Sequence, residues 1–223
     1  MAGTTNKMLR TILLVPKSHY LYQDAKNIVE NSSYLVAVFD DQDIISESAV
    51  AELNFDVLIS FLSRRVLKGE LLSFPNINFH PGPPEYPGRG GASFALFEGI
   101  SDYGATAHQM VSEVDAGGIY QIKRFPIYLD DNCESLFSRA EMACRDLLLH
   151  LCEHLKCFRA LPPLQSELRW RRKATTRKEF EEWLMLNPDD PAEFRKKIRA
   201  AQHSKFPGPF VMLHGFKFSL HKK

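Results

Sequence analysis

Phe74-Pro75-Asn76-Ile77-Asn78-Phe79-His80-Pro81-Gly82-Pro83-Pro84 decides how the rest of the chain is read. An apolar run that ends in prolines and a glycine reads as a buried strand stopping at Pro81. Side chains two apart on a strand share a face, so Asn78 and His80 point the same way from its last turnings. Outward from there, residues 11–15, 35–39 and 56–61 read as strands and 21–29 as a helix. This alternation predicts a Rossmann-like α/β fold: a mostly parallel sheet covered by helices, with ligands beyond the carboxyl ends of the strands. Residues 90–99 read as a helix entered from a glycine-rich turn. Residues 105–113 and 119–127 read as strands flanking a loop that turns Asp115 towards Asn78 and His80. Leu136, Ala140, Cys144, Leu147, Leu151 and Leu155 recur at steps of four and three, which makes 133–158 one long amphipathic helix. Pro162-Pro163 marks a boundary between a main domain, 1–162, and a small C-terminal region, 163–223. That region holds two helices, 178–186 and 191–201, and a hairpin formed by 210–213 and 216–220 around His214-Gly215.

An amide, an imidazole and a carboxylate suit acyl transfer to an amine, in which charge develops on the carbonyl oxygen and the attacking nitrogen sheds a proton. The Asn78 amide N–H and a protonated His80 suit the oxygen, and losing one such donor costs about 100- to 1000-fold in rate. Imidazole changes charge near physiological pH, so His80 also suits proton relay, with Asp115 fixing its tautomer. Taken alone, an Asn-x-His at a strand end is usually a turn-capping amide and a half-buried ring. The wider pattern has to decide.

With 28 basic and 27 acidic residues the net charge is +1, so no global field draws the chain to nucleic acid or an anionic membrane, and any anion must be held locally. Hydrophobic residues make up 44% of 223, enough for one sizeable core and an appendage. No apolar run approaches membrane-spanning length and the first seven residues lack a secretory segment, which predicts a cytoplasmic protein without a membrane partner. Cys133, Cys144, Cys152 and Cys157 lie on one helix and suit reduced thiols. His150 and His154 share a helix face beside Cys152, but no third ligand is evident and they read as a surface pair, with no metal.

The stretch 55–127 resembles the folate-dependent formyltransferase family almost continuously. The resemblance runs through Phe55-Asp56-Val57-Leu58-Ile59-Ser60, Asn78-Phe79-His80-Pro81, Tyr86-Pro87-Gly88, Gly104-Ala105-Thr106-Ala107-His108 and Val114-Asp115-Ala116-Gly117-Gly118-Ile119. It implies the formyltransferase fold, 10-formyltetrahydrofolate as formyl donor, and Asn78, His80 and Asp115 as the catalytic residues. It further implies that backbone groups hold the pterin, at Arg64, Arg65, Val66 and Leu67 and at Val111, Glu113 and Asp115. His108 matches a buried histidine that supports the aspartate.

Which amine is formylated turns on what surrounds this core. The purine-pathway branch has a glycine-serine phosphate loop after its first strand, whereas Val15-Pro16-Lys17-Ser18-His19-Tyr20-Leu21-Tyr22 contains no glycine for such a cradle. The methionyl-tRNA branch is resembled through Ile198-Arg199-Ala200-Ala201, Pro207-Gly208-Pro209 and Gly215-Phe216-Lys217, but there a β-barrel follows, and the charge here offers no polyanion surface. The sugar N-formyltransferases join the same core to a short helical and hairpin tail. Similarity to them implies a nucleotide-linked substrate: a 3- or 4-amino dideoxy sugar on dTDP or GDP, destined for surface polysaccharide such as O-antigen. Trp170 is the candidate to stack on the nucleobase, with Arg171 and Arg89 for the diphosphate, against the plainer reading of a solvated basic face. A two-stranded aromatic ribbon is rarely stable alone, which predicts a homodimer through the hairpin. Other amine formyltransferases, a formyltetrahydrofolate hydrolase and a folate-binding regulator are the rival readings. The hydrolase lacks room for a regulatory domain before residue 11, and the intact trio speaks against the regulator.

Overall fold

The computed structural model describes residues 8–43 and 46–220. The opening residues 1–7, read above as carrying no secretory segment, lie outside them. In chain order the elements are β1 (Arg10–Leu14), α1 (Tyr22–Glu30), β2 (Tyr34–Phe39), α2 (Glu47–Ala51), β3 (Val57–Phe61), a 3-10 turn (Gly69–Ser73), β4 (Asn76–His80) and α3 (Gly91–Glu98). They continue with β5 (Asp102–His108), β6 (Ile119–Pro126), α4 (Cys133–Phe158), α5 (Arg177–Trp183), α6 (Pro191–Ala201), β7 (Phe210–Leu213) and β8 (Phe216–Ser219). Six strands form one sheet in the order β2-β1-β3-β4-β5-β6, and β7 and β8 form a separate ribbon. Neighbours from β2 to β4 run parallel and β5 is antiparallel to β4. The mostly parallel α/β sheet expected from the sequence is therefore present.

The chain divides into two compact units, each assembled from several segments. Among the described residues, the first comprises 8–43, 46–80, 106–122 and 144–169. Strands β1 and β3 read as nearly continuous apolar runs because both faces are covered: Ile12, Leu13, Leu58 and Ile59 are fully buried. On one side Ile12, Leu14, Phe55, Leu58, Leu67 and Leu71 pack together. The second unit comprises, among the described residues, 81–105, 123–143 and 170–220. Tyr86, Leu96, Tyr103, Leu136 and Ala140 form its core, with Phe94, Phe97 and Trp183 against it. Within it α5 opens on a capping box, in which the Thr176 hydroxyl accepts from Glu179 N–H and the Glu179 carboxylate from Thr176 N–H. Asp190 caps α6 ahead of Pro191.

The amphipathic stripe of α4 is as expected, each of its six apolar positions being at most 4% exposed. Two expectations need correction. The strand predicted over 105–113 spans Asp102–His108 instead. After His108 the backbone leaves the ladder: Met110 N–H donates to the Asn76 side chain at 2.6 Å and Gln109 N–H to the Gly118 carbonyl at 2.8 Å. The helix predicted over 178–186 stops at Trp183, because Leu186 N–H and Phe210 N–H exchange bonds with Phe210 and Leu184 carbonyls at 2.8 and 3.1 Å. Short α2, which the sequence analysis does not predict, is capped by the Ser46 hydroxyl.

Candidate active site

Along β4 the residues alternate: Ile77 and Phe79 are buried in the apolar core, while Asn76, Asn78 and His80 share the other face. Asn76 is consumed structurally, its amide donating to the Leu72 and Phe74 carbonyls at 3.3 and 3.0 Å. Asn78 and His80 take the last two positions of that face. The antiparallel register sets Asn78 opposite His108 and His80 opposite Thr106. Asp115 then enters from the loop before β6.

Four side chains meet there. His80 Nδ1 lies 3.1 Å from Asp115 Oδ2, His108 Nε2 lies 3.2 Å from Asp115 Oδ1, and the Asn78 amide nitrogen lies 3.0 Å from His108 Nε2. The carboxylate thus has an imidazole on each oxygen. His80, His108 and Asp115 are 7%, 2% and 9% exposed, so these contacts act in a medium that screens them little. Because an ionised carboxylate only accepts, His80 Nδ1 carries hydrogen, and Nε2 becomes the nitrogen that takes up or releases a proton. His108 Nδ1 lies 2.8 Å from the Gln109 carbonyl, which also fixes hydrogen on that nitrogen. In a neutral ring His108 Nε2 accepts from the Asn78 amide. In a protonated ring it donates to Asp115.

The Asp115 loop is held by close backbone approach. Asp115 itself has φ +46°, a left-handed conformation that aspartate tolerates better than most side chains. Two residues later, a Cβ on Gly117 would lie 2.0 Å from the Gln109 carbonyl oxygen, so only glycine lets the loop fold back on the end of β5. Val111, Glu113 and Asp115 lie in this loop, outside any strand. Arg64, Arg65, Val66 and Leu67 follow β3, likewise without regular structure, with Leu67 buried and Val66 exposed. These are two irregular backbone segments of one unit, one after β3 and one before β6.

Arg89, Trp170 and Arg171 all belong to the second unit. Arg89 N–H donates to the Thr175 carbonyl and Arg171 N–H to the Pro84 carbonyl, both at 2.9 Å. The loop that begins one residue after His80 therefore runs beside the basic segment 170–175. Arg172 is committed elsewhere: its guanidinium stacks on the Tyr86 ring at 4.7 Å and bonds Glu98 at 3.2 Å, and the Tyr86 hydroxyl donates to Glu98 at 2.6 Å. Burial and the Glu98 bond push the Tyr86 hydroxyl well above the usual phenol range. Burial alone would raise Glu98, but bonds from Arg172 and Tyr86 hold it below the usual carboxylate range. The sequence reading missed this Tyr86–Glu98–Arg172 group because its members lie far apart in the chain and only the fold joins them.

His150 is exposed, and the neighbouring Cys152 is buried, with its thiol raised to about 11 chiefly by burial. Among the described residues no group of three or more histidine, cysteine or acidic side chains is placed to hold a metal ion.

Residues 19–150 match the family described as Formyl transferase. The fold is similar to that of a 4-N formyltransferase from Francisella tularensis, with 15% identity, a TM-score of 0.78 and coverage of 97% of this chain and 98% of that one. It is similar also to a sugar N-formyltransferase from a Shewanella species, with 20% identity, TM-score 0.76 and 96% and 97% coverage. HypX from Aquifex aeolicus in complex with tetrahydrofolic acid matches with 20% identity and TM-score 0.71, over 97% of this chain but 38% of that one.

Proposed function

The chain belongs to the formyl transferase family, and from that premise we propose that it formylates the amine of a nucleotide-linked amino dideoxy sugar, on GDP or dTDP and at the 4-amino position. The formyl donor is 10-formyltetrahydrofolate, and the product serves surface polysaccharide such as O-antigen. The observation that carries the sugar reading is likeness over the whole of both chains, 97% of this one and 98% of the 4-N formyltransferase and 96% and 97% for the Shewanella enzyme, whereas HypX is matched over 38% of its length. Residues 1–162 carry the catalysis and 163–223 complete the acceptor side and the subunit contact. A cytoplasmic place accords with free cysteines and with the lack, among the described residues, of a helix long and apolar enough to cross a membrane.

The folate supplies an activated formyl carbon. Loops 64–67 and 111–115 hold its pterin by backbone groups. Asn78 donates an amide N–H to the formyl oxygen as charge gathers there. As the amine nitrogen bonds to the formyl carbon, His80, turned by Asp115, takes the amine proton at Nε2. The protonated ring then adds a second donor for that oxygen and passes the proton to the folate nitrogen, whose bond to the formyl carbon breaks to release tetrahydrofolate. His108 fixes Asp115 from its other side. Arg89, Trp170 and Arg171 take the diphosphate and base.

The deciding experiment incubates the protein with 10-formyltetrahydrofolate and a panel of GDP- and dTDP-linked 3-amino and 4-amino dideoxy sugars, read by mass spectrometry. A formyl increment on one sugar, lost in His80→Ala, is the expected result. Formate released at the same rate with or without any acceptor would replace this reading with hydrolysis.

A further inference from the structure

The geometry points to Asp41 as the positioning residue that sets the path of the 62–67 loop and thereby the affinity for the folate donor; this rests on the reading that residues 64–67 hold the pterin. Asp41 follows β2, whereas the loop follows β3, and β1 lies between these two strands in the sheet. The Asp41 side chain must therefore reach past the end of β1. It does so with both oxygens. Oδ1 accepts from the Ser63 hydroxyl and from Arg64 N–H at 3.2 Å, and Oδ2 shares that N–H at 3.1 Å. The Ser63 oxygen in turn accepts from Arg65 N–H at 3.1 Å, and Arg65 Nη1 donates to the Asp43 carbonyl at 2.8 Å. The exit of β1 is fastened to the same turn, Lys17 N–H donating to Asp40 Oδ2 at 3.1 Å.

Such a clamp answers a need visible in the backbone. Leu62 has φ +53°, a left-handed conformation that a bulky L-residue disfavours. A strained residue persists only where its surroundings over-determine it, and three consecutive residues after Leu62 are tied to the 41–43 turn directly or through Ser63. Arg64 and Arg65 N–H groups are spent on this clamp, so recognition of a heterocycle by the loop falls to its carbonyls and to N–H groups from Val66 onward. Backbone recognition gains from a loop fixed before the ligand arrives, because ordering it on binding would subtract from affinity. Asp41 touches no substrate in this scheme and acts through Ser63, Arg64 and Arg65.

The test compares wild type with Asp41→Ala and Ser63→Ala by calorimetric titration with 5-formyltetrahydrofolate, a non-transferring folate, and by hydrogen exchange of the peptide covering 62–67. Asp41→Ala is expected to weaken folate binding about 10-fold, and Ser63→Ala about 3-fold, in line with loss of hydrogen bonds to a charged acceptor. Exchange in that peptide should quicken in both variants. If Asp41→Ala does not fold, as judged by circular dichroism, Ser63→Ala decides alone. Unchanged exchange, or faster exchange with unaltered folate affinity, would overturn the role of Asp41. A wild type that binds no folate would instead remove the donor reading beneath it.

Discussion

Asp115 concentrates the chemistry of the site in one side chain, because both of its oxygens are engaged by imidazoles while its backbone adopts φ +46°. Asparagine tolerates the same left-handed conformation, so Asp115→Asn isolates the charge from the fold. Its amide oxygen can still accept from His80 Nδ1, while its N–H meets His108 Nε2, the acceptor of the neutral ring, so the contacts survive and the negative charge is lost. The expected loss is about 100- to 10,000-fold in kcat, the range for general acid–base help, with an unchanged melting temperature. Steady-state formyl transfer and calorimetry check both halves; an active Asp115→Asn would take the carboxylate out of the mechanism. A different residue is out of place in the opposite sense. Thr11, fully buried in β1 beside a register shift between Thr11 and Ile12, has no hydrogen-bond partner for its hydroxyl. Thr11→Val removes an unsatisfied polar atom at nearly constant shape, and should stabilise by about 1 kcal/mol. For a chain of this size that raises the melting temperature by roughly 2–4 °C. A fall would mean that the hydroxyl is satisfied in solution.

At the scale of elements, Tyr86, Glu98 and Arg172 join the loop after β4, the end of α3 and the basic segment before α5, all within one unit. Glu98 is held below its ordinary value of 4.5 against the pull of burial. A depressed carboxylate contributes stability that is present above the unfolded value and lost as pH falls through the folded one. Wild type should therefore lose stability more steeply than Glu98→Gln as pH falls below the ordinary carboxylate value of 4.5, although the variant is weaker at neutral pH. Parallel urea-midpoint curves below that value would contradict the arrangement. How much of this was legible in the sequence depends on the range of the forces. The α4 stripe and the Asp190-Pro191 start of α6 are local patterns, and they read correctly. The end of β5 did not, since Asn76, distant in the chain, and Gly118, beyond the Asp115 loop, draw the backbone off the ladder. The residues that meet in the site were legible through their motifs, but the placement of His108 against both Asn78 and Asp115 needed the antiparallel register. The Asp41 clamp was invisible for the same reason: it crosses a strand that lies elsewhere in sequence order.

For the whole molecule the unsolved surface is the hairpin. Cross-strand pairing sets Leu213 opposite Phe216 and Val211 opposite Phe218, so these four side chains share one face, while Lys217 lies over the Phe210 ring, 4.0 Å from its centroid. Phe216 and Phe218 are 70% and 55% exposed. Fully burying a side chain of this kind is worth about 1.5–3 kcal/mol. A symmetric contact buries two such rings from each subunit, and the gross gain from the four is then of the same order as the roughly 4–15 kcal/mol that association costs. Two rings per subunit thus stand near the balance point between monomer and dimer, and Val211 and Leu213 on the same face tip it. Wild type is expected to show a two-subunit mass by light scattering at micromolar concentration. Phe216→Ser combined with Phe218→Ser should shift it to one subunit while leaving the circular dichroism spectrum intact, because neither ring belongs to a buried core. Folate binding in that variant should match wild type, since loops 64–67 and 111–115 belong to the other unit. A wild type that remains a single subunit at those concentrations would show that the exposed ribbon face serves something other than a second copy of the chain.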